Sequence, residues 1–173
     1  RIFMSGEKVG NEGRAFAHIA TGTSAGTSYE LPYLGKFSWE NTLANPATGD
    51  KTVVVGTDDT TPGQVYVYIG TKQSTGNEIQ KAGLQNGKLF GIKVTGIALE
   101  TAGTFPGVST PFSLFDLGFV QNTTGAALQS ASVANGVTEF LRPEDAHWDP
   151  TTPNDLYFVT TASVTGPSRL YKV

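Results

Sequence analysis

Glu40, Asp59, Arg142 and Glu144 are the side chains whose types and spacing suit phosphate and cation chemistry. In Arg142-Pro143-Glu144-Asp145, an arginine stands beside two carboxylates, next to a proline whose ring locks its own φ. A guanidinium is a planar fork that grips phosphate through two parallel hydrogen bonds. Residues i and i+2 of an extended segment share a face, so Arg142 and Glu144 are expected to project together, one toward phosphate and the other toward a metal ion. Glu40 follows Phe37-Ser38-Trp39, and Asp59 closes Gly56-Thr57-Asp58-Asp59. Each ends a strand-like segment, so adjacent strands can bring both carboxylates to one rim. Hard cations such as Ca²⁺ collect roughly six to eight oxygen ligands from such groups. Plainer readings stand beside these. Asp58-Asp59 also suits the cap of the turn Thr60-Thr61-Pro62-Gly63, and Arg142 with Glu144 suits a surface salt bridge in a turn with Trp148 packed below.

Other constellations carry less. Glu12, Arg14 and His18 occur close together, but a lone histidine is more often a packing residue than a ligand. His18 and His147 are the only histidines, and no Gly-x-Ser-x-Gly elbow is present, so a Ser-His-Asp triad has no basis. Gly22 to Ser28 is glycine-rich but lacks the lysine of a phosphate-binding loop.

The elements that must hold these residues read as strands. Lys51 to Gly56 carries the β-branched run Val53-Val54-Val55. Gln64 to Gly70 alternates, with Val65, Val67 and Ile69 on one face and Tyr66 and Tyr68 on the other. Lys88 to Val94 follows the turn Asn86-Gly87, and the three strands together predict an antiparallel meander. Phe112 to Phe119 opens a looser second half. Leu156 to Thr161 and Arg169 to Val173 pair around Thr165-Gly166-Pro167. Ala126 to Asn135 predicts the one short helix, with Leu128, Ala131 and Ser132 at helical spacing and Gly136 closing it. Thr75 to Leu84 reads as one or two helical turns without chemistry.

Composition agrees with an all-β domain. Of 173 residues, 38% are hydrophobic and 16% charged, which suits a folded core, and 21 Gly with 9 Pro supply many tight turns. A net charge of −3 provides no electrostatic footprint for nucleic acid. No apolar run approaches the roughly 20 residues of a membrane span. The absence of Cys excludes disulfides and thiolate metal sites within the chain. Arg1-Ile2-Phe3 reads as mid-strand, and the last strand stops where an interior one is expected. Residues 1–173 are therefore expected to form one partial domain of a larger protein, with free edge strands that promote self-association.

Two stretches carry a family resemblance. Gly35-Lys36-Phe37-Ser38-Trp39-Glu40, Val55-Gly56-Thr57-Asp58-Asp59 and Gly63-Gln64-Val65-Tyr66-Val67-Tyr68 form the first. Thr138-Glu139-Phe140-Leu141-Arg142-Pro143-Glu144-Asp145, followed by Asn154-Asp155-Leu156-Tyr157-Phe158-Val159-Thr160-Thr161, forms the second. Together they resemble the middle of the PhoX-type alkaline phosphatases. The resemblance implies antiparallel meanders forming two to three blades of a β-propeller, in a secreted or periplasmic protein that hydrolyses phosphate esters. It implies calcium as the cofactor, with iron held elsewhere in the family by a Cys motif upstream of the matched region. It carries Glu40, Asp59 and Glu144 over as metal ligands and Arg142 as the phosphate-gripping residue. On this reading the segment by itself holds an incomplete cluster and is expected to be inactive. The alternative is a non-catalytic propeller module that binds or supports, its carboxylates holding at most structural Ca²⁺.

Overall fold

The alternation along Val65 to Ile69 offers two apolar faces, and the protein uses both. A computed structural model describes residues 1–173 apart from Thr48, Pro106 and Pro167. The strands are β1 (Ile2–Gly6), β2 (Ala15–Ile19), β3 (Ser28–Glu30), β4 (Trp39–Ala44), β5 (Lys51–Asp58), β6 (Val65–Thr71), β7 (Lys88–Val94), β8 (Phe112–Gly118), β9 (Pro143–Trp148), β10 (Leu156–Thr160) and β11 (Arg169–Lys172). Helix α1 (Glu78–Lys81) is a single turn, and α2 (Gly125–Ala134) is longer. They build three antiparallel meanders, ordered β1-β2-β3, β4-β5-β6-β7-β8 and β11-β10-β9. Each strand pairs with its neighbour in sequence, as in propeller blades. β4 contacts both β1 and β9. No helix among the described residues is long and apolar enough to cross a membrane, which says nothing about β-barrels.

The five-stranded sheet is the shared wall. Val54, Tyr66, Tyr68 and Leu89 face a core completed by Ala15, Ala17 and Ile19 of β2 and by Leu128 of α2. Val55, Val65, Val67 and Ile92 face a second core with Phe140, Leu156 and Phe158. Strands buried on both faces read as near-continuous apolar runs, which is why Val53-Val54-Val55 lacks a polar partner face.

Trp39 wedges the first sheet against the second. Its ring stacks on Phe37 at 3.9 Å, and Phe37 meets Tyr66 at 4.7 Å. Gly6 and Gly56 make room: a Cβ on Gly6 would strike Trp39, and one on Gly56 would strike both Trp39 and Phe37. Gly56→Ala is therefore expected to destabilise by about 1–3 kcal/mol through overpacking, read as a lower urea midpoint at unchanged slope.

Helix α2 starts on Thr124, whose hydroxyl accepts from the Ala127 amide at 3.2 Å. It ends on Gly136 at φ 68°. The Gly136 and Val137 amides donate back to Val133 and Ser132, each at 3.0 Å, completing the Schellman pattern. Several expectations change. Phe112–Gly118 does not open a new meander but pairs with β7 as the fifth strand of the β4–β8 sheet. Ala15–Ile19, assigned no element from sequence, is a strand, and Pro143–Trp148 is a strand and not the turn of the plainer reading. Pro167, the end of the expected turn at Thr165 to Pro167, lies outside the described residues.

Candidate functional site

Two bulges aim two of the carboxylates. Between the pairs Trp39–Asp58 and Asn41–Thr57, β4 carries one extra residue, Glu40. Between the pairs Phe158–Ala146 and Thr160–Pro143, β9 sets Glu144 and Asp145 opposite the single residue Val159. A bulge bends its strand and redirects side chains that a regular ladder would alternate. Asp59 follows β5, its amide fixed by Ser38 O at 2.8 Å. Its neighbour Asp58 turns inward and accepts from the Ser38 amide at 3.2 Å. Burial pushes the Asp58 carboxyl up to about 6, against hydrogen bonds from Thr60, Ser38 and Gln64 that lower it. The adjacent aspartates thus have different tasks: Asp58 shapes the turn, and Asp59 faces the cluster.

Arg142 departs from its expected conformation. It is not extended but left-handed, at φ 65°. The following Pro143 disfavours the right-handed helical region for Arg142. Its backbone is clamped: Arg142 N donates to Phe140 O at 2.9 Å, and Thr161 N donates to Arg142 O at 3.1 Å. The expected convergence with Glu144 therefore comes from a left-handed corner feeding a bulge, not from two residues sharing the face of a strand.

A buried carboxylate holds this corner. Glu100 accepts from Leu141 N at 2.7 Å, Thr160 Oγ1 at 3.2 Å and Arg169 Nη1 at 2.5 Å. Arg169 Nη2 also donates to Thr101 O and Ala102 O, each at 3.0 Å. Neither Glu100 nor Arg169 belongs to a motif, and only the third dimension shows that they hold the residue before Arg142.

The four expected residues meet. Glu40, Asp59 and Glu144 each place a carboxylate oxygen within 4.8 Å of the others. Arg142 Nε donates to Asp59 Oδ1 at 2.7 Å and lies 3.1 Å from Glu144 Oε1. Thr161 Oγ1 donates to Glu144 at 3.1 Å. Among the described residues the two Nη groups of Arg142 make no hydrogen bond. Lys8, just past β1, was not anticipated: its Nζ lies 2.6 Å from Glu40 Oε2 and pairs with Asp59 Oδ2. The Asp59 side chain is only 2% exposed. Burial pushes its carboxyl up, but Lys8 and Arg142 more than offset this and hold it below the usual carboxylate range. Hydrogen bonds to Asp59 and then Glu40 raise Lys8.

The donors are all carboxylate oxygens, which suit a hard cation of the Ca²⁺ or Mg²⁺ kind. They do not suit thiolate-held iron, because the chain has no Cys. The other constellation stays structural. His18 sits between Ser5 Oγ at 2.9 Å and Ser28 Oγ at 2.8 Å and stacks on Phe3. Arg14 pairs with Glu7 and Glu30.

Three blade-like meanders with a carboxylate and arginine cluster at the join of β1, β4 and β9 define a propeller-type β-protein with a polar site. The particular family follows: a model of the alkaline phosphatase PhoX family matches residues 21–169, and the chain belongs to that family. The match includes Glu40, Asp59, Arg142 and Glu144, while Lys8 precedes it. Among solved structures, "Pseudomonas fluorescens PhoX in complex with vanadate, a transition state analogue" aligns with a TM-score of 0.60 and 18% identity. The alignment covers 84% of this chain and 27% of that one, and the likeness shows the fold. No curated protein sequence matches the chain.

Proposed function

We propose that this chain contributes a phosphate and cation site to a metal-dependent phosphate-ester hydrolase. The observation that carries the reading is the meeting of Glu40, Asp59 and Glu144 around Arg142, which is tethered through Nε with its Nη fork unbonded among the described residues. Glu40, Asp59 and Glu144 would hold the cation, here read as Ca²⁺. Bound there, the cation would supply positive charge against phosphoryl oxygens. Arg142 would grip two oxygens of the phosphoryl group and stabilise the charge that grows on them. The vanadate named with the solved PhoX supports a phosphoryl-binding role for the family site. Membership in that family supports a secreted or periplasmic setting. Because the chain spans 27% of the solved PhoX, we read these meanders as part of a larger propeller, in which other blades complete the ligand set. The outer edges of β3, β8 and β11 would then mediate self-association of the chain alone, visible by sedimentation.

A second reading has one observation behind it. Lys8 and Arg142 already place two cations among three carboxylates, as a structural ion-pair network in a non-catalytic module would. Calorimetric titration with Ca²⁺ separates the two readings. The hydrolase reading expects weak binding, with a dissociation constant of about 0.1–1 mM, abolished in Glu40→Gln. No Ca²⁺ binding, either by the wild-type chain or after the Lys8 ammonium is removed, supports the structural network instead.

A further inference from the structure

The cation reading of the cluster leaves Lys8 without a task. Its side chain is 47% exposed and sits on a flexible four-carbon stem, yet its ammonium takes one oxygen each from Glu40 and Asp59. Arg142 takes the other Asp59 oxygen and one from Glu144. A divalent ion drawing on Glu40 and Asp59 therefore competes directly with Lys8. The two resident cations are not equally able to leave. Arg142 is fixed by Pro143, by the backbone clamp on Phe140 and Thr161, and by Glu100 under Leu141. Lys8 is held only through its neighbour Glu7, whose backbone O accepts from Trp39 N at 3.2 Å and whose N donates to Arg14 O at 2.9 Å. Its half-exposed side chain can swing to solvent.

We propose that Lys8 is a placeholder cation. It neutralises Glu40 and Asp59 before metal arrives and is displaced when a divalent cation enters, so it sets the cation affinity of the cluster. Without such a charge, three carboxylates within 4.8 Å would repel one another. With it, the site keeps its shape at the expense of affinity. The inference rests on the proposed cation site, and the experiment separates the two.

The probe is Ca²⁺ alone, titrated calorimetrically into the 173-residue chain up to about 10 mM. Lys8→Met should bind Ca²⁺ at least about tenfold more tightly than wild type, and Lys8→Gln should behave alike, so that one poorly folded variant does not decide the outcome. In metal-free buffer both should melt lower than wild type, and Ca²⁺ should raise their midpoints by more. Lys36→Met, which removes a lysine paired with Glu12 instead, should leave affinity within about twofold. Equal Ca²⁺ affinity in wild type and both Lys8 variants overturns the placeholder role while leaving the cation site intact. An equal gain in Lys36→Met also overturns it, since net charge alone would then explain the effect. No binding by any variant removes the cation site and the placeholder together. Binding by the Lys8 variants but not by wild type is the strongest form of support.

Discussion

Arg169→Met is expected to destabilise the protein by about 3–5 kcal/mol, the largest effect of any substitution considered, because it strands a buried charge. The Glu100 side chain has 0% exposure, and Arg169 is its cationic partner. Two neutral donors remain after the substitution, Leu141 N and Thr160 Oγ1, and these do not neutralise a carboxylate removed from water. A surface pair would be worth under about 1 kcal/mol, so the size of the loss reports burial. Chemical denaturation measures it. The double variant Glu100→Gln with Arg169→Met should recover much of the loss, since the charge that Arg169 balanced is gone. If Arg169→Met alone loses less than about 1 kcal/mol, the pair behaves as if solvated and the anchoring of Leu141 has another source.

Arg142→Lys is expected to weaken vanadate binding to the Ca²⁺-loaded chain at least about tenfold, roughly 1.4 kcal/mol, and to lower phosphate-ester turnover by a similar factor wherever the site is complete. Stability should barely change. Lysine keeps the charge and can still reach Asp59, but it cannot hold that carboxylate through one nitrogen while offering a two-pronged fork to an anion. Calorimetry with vanadate and thermal melts on the same samples check both halves. Unchanged vanadate binding with a lower melting temperature would make Arg142 a structural salt bridge and return the cluster to the non-catalytic reading.

Much of the scaffold was legible because local pattern and tertiary environment agree. Lys88–Val94 has the bounds expected from its turn and its apolar content. The split of Val65, Val67 and Ile69 from Tyr66 and Tyr68 matches their division between the two cores. The Gly136 stop of α2 is a local signal with a local cause. The first sheet was less legible because β2 buries small residues, Ala15 and Ala17, whose β-propensity is weak. β8 was misplaced because pairing is non-local: nothing in Phe112–Gly118 states which sheet it joins. The expected cluster residues were singled out by type, but the sequence does not show how they come together. An extra residue in a strand is visible only against its partner, as with Glu40 and Glu144. Lys8 lies in no motif and becomes informative only through the carboxylates it reaches from 32 residues and 51 residues away in sequence (40 − 8 and 59 − 8).

The bulges also bear on how such a protein can change over generations. Deleting one residue at the β4 bulge would restore an unbroken ladder with β5. The blade would survive, while the carboxylate at that position would be lost or turned away. A similar deletion in β9 would do the same for Glu144. Chemistry and architecture are thus separable by single-codon steps, and descendants of one blade can keep its shape with or without the cluster.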